Sequence, residues 1–199
     1  MAQTARSLAF AGERFAGGRV KGSMLRAHID WVRDHRSREE TIEFFESIPG
    51  PIRQQLGTIL PTTWHPFETL IAVDRIILER FGDGRIELLE ELGRYSAQLT
   101  LGGVDRSFRR DDVHDFFIHS ALLHSQYQDF GTAAYYRADS TSGRMAHRDY
   151  TSYSPLYCSS AVGFYREAIR LHGGTHIEVA EGECQCDGEE NCTFELSWH

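Results

Sequence analysis

Long apolar runs are absent from this 199-residue chain. Stretches such as Thr69 to Val73 and Ile76 to Leu78 are cut short by charge, far below the roughly 20 residues that a membrane-crossing helix requires. The opening segment, MAQTARSLAFAGERFAGG, carries Arg6, Glu13 and Arg14 where a secretory signal would be continuously hydrophobic. A cytoplasmic protein with no membrane span is therefore expected. Proline (5) and glycine (18) are too sparse for a collagen-like or low-complexity chain, and 41% hydrophobic residues suffice for a core. Positive charge is not in excess either. The 21 Lys+Arg against 29 Asp+Glu leave a formal net charge of -8, and no basic block follows a phosphate backbone, so a direct nucleic-acid partner is not expected. Internal repeats, a Walker loop, a dinucleotide-binding glycine pattern and an HExxH pair are missing as well.

Helical periodicity occupies the first half of the chain. Residues 1–17 are expected to form a flexible leader closed by Gly17 and Gly18, and 18–199 to form one domain. Leu25, Ile29 and Val32 recur at helical spacing within Met24 to His35. Further helices are expected over Arg38 to Ser47, 52–58, 67–81, 86–99, Asp111 to Gln126 and Ser159 to His172. Strand texture appears at Thr132 to Arg137 and Arg144 to Tyr150, and again in THIEVAEGEC and CTFELSW, which flank the acidic loop QCDGEEN. The expected fold class is α+β: N-terminal helices packed against an antiparallel sheet, with a C-terminal helix and β-hairpin held by a metal site.

Cysteine is scarce, with four residues, but Cys184, Cys186 and Cys192 fall within nine positions. Antiparallel strands bring Cys184 and Cys192 together, Gly188 permits the tight turn, and Cys158 with Glu181 would complete a four-ligand set. Soft thiolates favour zinc, and four protein ligands leave no position for water, the pattern of a structural site. Two alternatives remain at this stage: ordinary buried thiols, or a disulfide of Cys192 with Cys158 or Cys184.

His114, His119 and His124 are spaced five apart, so each turns by about 140 degrees on a helix and the three do not share a face. His119, together with Phe116, Tyr127 and Tyr135, is a candidate lining for a small-molecule pocket, and Trp64 is a further candidate. The competing explanation is an ordinary aromatic core. No nucleophile, base and orienting acid can be assembled from the sequence, so no catalytic residue is assigned and an enzyme is not expected.

The run Tyr157-Cys158, then GFYREAIRLHGG, Glu181-Gly-Glu-Cys184, Gly188 and Cys192-Thr-Phe194-Glu-Leu196-Ser-Trp198 resembles the C-terminal signature of the vinyl-reductase-like small-molecule-binding domain. VKGSMLRAHIDWVRDH and LPTTWHPFETLIAVDRII extend the likeness over residues 19 to 198. Relatives of that domain include the haem nitric-oxide-binding domain and vesicle-tethering transport subunits. The resemblance implies structural zinc on Cys158, Glu181, Cys184 and Cys192, and an apolar ligand cavity between helices and sheet. It also implies a bacterial sensor that forms a homodimer and signals through a separate regulatory protein. The alternative is a non-enzymatic scaffold or dimeric interaction protein with a closed core. Haem is not expected: His119 or His114 would serve as axial ligand, but Ser154 stands where the Tyr-x-Ser-x-Arg propionate clamp has its arginine, in Tyr150-Thr-Ser152-Tyr-Ser154.

Overall fold

The computed structural model describes residues 12–57, 59–102 and 110–199. Of the expected leader, residues 1–11 lie outside the described residues. Residues 12–18 run along the folded chain: Arg14 pairs with Tyr153, and the Glu13 carboxylate accepts from Arg75 and from the Ser154 hydroxyl. A short strand β1 (Arg19–Lys21) then pairs antiparallel with β2 (Trp64–Pro66). Three residues per strand are too few to show alternation in the sequence, and this small sheet was not anticipated.

Helices α1 (Gly22–His35), α2 (Arg38–Ser47), α3 (Gly50–Leu56), α4 (Phe67–Phe81) and α5 (Glu87–Gly102) follow. Their apolar stripes meet in one buried cluster that includes Leu25, Ile29, Phe44, Leu70, Ile77 and Leu89. Helix α6 (Val113–Leu123) is capped by the Asp112 carboxylate, which accepts from the Asp115 amide. A four-stranded antiparallel sheet comes next, in the order β3 (Thr132–Arg137), β4 (Ser142–Arg148), β6 (Cys192–Ser197), β5 (Glu178–Glu181). These elements give the α+β arrangement expected, with helices against a sheet and a C-terminal helix and hairpin bearing a cluster of metal-ligating side chains.

Helix α7 (Pro155–Leu171) joins the two halves. It starts four residues earlier than periodicity suggests, because the Ser154 hydroxyl caps it and Pro155 occupies its first turn. Cys158 therefore sits inside the helix rather than ahead of it. Helices α5 and α7 cross with their backbones in contact. A Cβ on Gly93 would lie 1.8 Å from the Ser160 carbonyl oxygen, and one on Gly163 would lie 1.9 Å from that of Glu90. Only glycine permits this approach. No described helix is long and apolar enough to cross a membrane.

Candidate functional site

Two features adjoin α7. The first is the thiol cluster. Cys158 comes from α7, Glu181 ends β5, Cys184 follows it and Cys192 opens β6, and one ligand atom from each lies within 4.8 Å of all the others. The three sulfurs are buried and Glu181 is at the exposed rim. The sulfurs of Cys184 and Cys192 are 4.0 Å apart, close to the edge of about 3.8 Å that a tetrahedral ion with metal–sulfur bonds of about 2.3 Å would set. All four cysteines are free, so the disulfide alternative is not realised. Gly188 turns the hairpin at a φ of 94°, the left-handed region that glycine occupies freely.

The electrostatics of the cluster fit a cation. Sulfur contacts from Cys158, Cys186 and Cys192 draw the Cys184 thiol far down, towards thiolate. Contacts with Cys184 and then Cys192 push Cys158 well up. Burial, and then the contact with Cys184, lift Glu181 to about 7. Neighbours compete for one negative charge, and a metal ion removes that competition by accepting several anionic ligands at once. Cys186 stays outside the four-ligand set, half-buried on the short turn at 185–187.

The second feature is a cavity of about 180 Å³ lined by α1, α4, α5, α6, α7, β3 and β4. Leu70, Leu101, Phe116, Met145 and Phe164 supply apolar wall, and among the described residues no Lys, Arg, Asp or Glu lines it. Of the pocket candidates read from sequence, His119, Phe116 and Tyr127 line the cavity, and Tyr135 and Trp64 lie outside its lining. Tyr135 stacks on Phe117 and its hydroxyl lies 2.7 Å from His114 Nδ1. Trp64 lies on β2 beneath the Lys21 ammonium, 4.0 Å from the ring centre.

The sheet-side wall is a chain of satisfied polar groups. The Tyr150 hydroxyl donates to Gln128 Oε1 at 2.6 Å, so the His124 Nε2 proton must be the donor in its own 2.6 Å contact with that hydroxyl. The Gln128 amide in turn donates to Tyr157. His147 is fully buried, stacks on Tyr150 and contacts the Tyr165 hydroxyl at 2.7 Å. Burial, and then the nearby His124, hold His147 down to about 3, so it is neutral near pH 7. The opposite wall carries a pair that sequence reasoning missed: His28 on α1 and Asp74 on α4, with Nδ1 and Oδ1 2.5 Å apart. The two are 46 residues apart in sequence and belong to no local motif, so no sequence signal joined them.

No protein-family model matches the chain, and no curated protein matches it by sequence. Solved structures do match. The Fe(II) unliganded H-NOX protein from K. algicida superposes with a TM-score of 0.67 at 12% identity, over 90% of this chain and 96% of that one. An oxygen-binding H-NOX domain related to soluble guanylate cyclases gives 0.66 at 16% identity, over 89% and 94%. The H-NOX protein from S. oneidensis in its Fe(II)NO state gives 0.67 at 12% identity, over 90% and 99%.

The fold is the H-NOX fold. At these identities the likeness concerns architecture, and it corrects the cofactor expectation of zinc with haem set aside. The H-NOX structures include one described as probing heme distortion, and the present cavity offers His28, His119, His124 and His147, the nitrogen donors that haem iron takes. The missing clamp arginine does not decide the matter, because Ser154 is engaged in capping α7. Haem is therefore a candidate occupant, and the thiol cluster is a candidate metal site whose donors do not by themselves name the ion.

Proposed function

We propose that this protein is a non-enzymatic sensor module that encloses a small, largely apolar molecule in the cavity and uses a metal ion on Cys158, Glu181, Cys184 and Cys192 to fix the hairpin behind it. The observation that carries this reading is a largely apolar cavity with no charged lining residue among the described residues. Apolar cavities of roughly 150 Å³ take up benzene-sized molecules, so one of about 180 Å³ suits a single substituted ring. Space left unfilled by side chains favours this reading over a closed-core scaffold. Transmission would pass to a second copy or a separate regulatory protein, in keeping with the vinyl-reductase-like resemblance. Were haem the occupant, His119 or His28 would supply the axial imidazole, and the iron would provide the gas-binding chemistry.

The test is a thermal-shift and calorimetric panel of uncharged single-ring compounds, run beside haem reconstitution. Saturable binding of a ring compound, abolished by Ala161→Trp in the cavity wall, supports the reading. A Soret band with a histidine-ligated spectrum would assign the cavity to haem instead. No binding in either arm would overturn the proposal.

A further inference from the structure

The satisfied sheet-side wall and the helix-side wall of the cavity differ in one respect. On the helix side three polar side-chain atoms have no hydrogen-bond partner among the described residues. The Ser96 Oγ of α5 is buried without a hydrogen bond, although Ser96 lines the cavity. His28, only 4% exposed, has Nδ1 on Asp74 and, among the described residues, no partner at Nε2. Asp74 is fully buried, and its second oxygen, Oδ2, is also unpartnered.

That last detail fixes the chemistry of the pair. A carboxylate in a dry interior with a bare oxygen is costly unless its charge is balanced. Among the described residues its hydrogen-bond partner is His28. Oδ2 has no acceptor to receive a proton, so in a pair without net charge the shared proton lies in the 2.5 Å Nδ1–Oδ1 contact. The other imidazole hydrogen is then on Nε2, which is a donor. The Ser96 hydroxyl is free to donate to the same guest. With Nδ1 turned to Asp74, the edge of His28 left for the cavity is the one bearing Nε2–H.

We infer that His28, oriented by Asp74, and Ser96 form a donor pair that recognises a hydrogen-bond-accepting oxygen, so that the ligand is an uncharged, mostly apolar molecule bearing a carbonyl. This rests on the cavity reading proposed above and specifies its ligand class. A carbonyl oxygen has two lone pairs, enough for both donors. The residues that sequence reasoning placed at the pocket, His119 among them, then contribute shape, and polar selection falls to residues from α1, α4 and α5.

Two probes of matched shape test this: acetophenone, which carries the carbonyl, and cumene, in which a methyl-bearing carbon replaces it. Binding is measured on the intact protein and on two variants. Ser96→Ala removes one donor from a helix that tolerates alanine. His28→Leu/Asp74→Leu replaces the buried pair by apolar side chains, a change that buried pairs often tolerate. The expected result is that the preference for acetophenone over cumene falls about tenfold in the double variant and severalfold in Ser96→Ala, while cumene binding persists. The carbonyl stretch of bound acetophenone should be shifted to lower frequency in the native protein and return in the double variant. Equal preference in all three proteins with an unshifted carbonyl overturns the donor pair and leaves the cavity reading intact. Failure of both probes to bind the native protein overturns both. Should the double variant not fold, Ser96→Ala and the carbonyl frequency in the native protein decide the matter.

Discussion

Cys192 on β6 stands directly opposite His147 on β4. Residues opposite one another in an antiparallel pair project from the same face, so one strand pair holds a thiol of the metal cluster and an imidazole of the cavity wall side by side. Helix α7 repeats the coupling, since Cys158 reaches the cluster and its neighbour Tyr157 lines the cavity. The two sites therefore share one strand pair and one helix.

Removal of one cluster ligand should release the ion and loosen the hairpin. Cys192→Ser is expected to abolish stoichiometric metal by elemental analysis and to cost about 2 kcal/mol or more in denaturant titrations. Cys186→Ser, outside the ligand set, should leave metal content unchanged. Equal loss of metal from both variants would show that the ligands have been misassigned.

Acid should destabilise the protein through His147. Burial holds it down to about 3, below the ordinary imidazole value of 6.5, so between those limits the unfolded chain binds more protons and stability declines as the pH falls. Denaturant midpoints measured from pH 7 to pH 4 should drop, and the slope should be shallower in His147→Phe. Parallel slopes in the two proteins would locate the acid sensitivity elsewhere.

The hydroxyl of Tyr150 joins His124 to Gln128. Tyr150→Phe leaves both partners bare in a buried setting, with an expected loss of about 1–3 kcal/mol. A loss under about 0.5 kcal/mol would mean that water restores the bonds.

Gly163→Ala drives a methyl group into the Glu90 carbonyl at the α5–α7 crossing, and about 3 kcal/mol of destabilisation is expected. Gly102→Ala, whose Cβ would meet nothing within 4 Å, is the control and should change stability by about 0.5 kcal/mol or less. Calorimetric melts of the two variants compare them directly.

Much of this architecture was readable from residue order alone. The thiol cluster was accessible because three of its ligands sit on one hairpin and the fourth, Cys158, opens a helix with strong periodicity. Most helices declared themselves through apolar spacing, and the last two strands through alternation around Gly188. The His28–Asp74 pair did not, because α1 and α4 carry it as single polar residues within apolar stripes, and only the packing of the two helices brings the rings and carboxylates together. Trp64 stands apart for a related reason: its place beneath the Lys21 ammonium is set by the pairing of two three-residue strands, which no local pattern announces.

Glu13 ties the segment ahead of β1 to Arg75 of α4 and to the capping serine of α7, and at Gly12 the chain runs against the backbone of Cys186, where a Cβ would lie 1.8 Å from the carbonyl oxygen. The chain ahead of β1 thus meets the hairpin that carries Cys184 and Cys192. Any side chain placed at residue 12 would press on that hairpin, so Gly12 is a point from which the thiol cluster can be perturbed without touching a thiol.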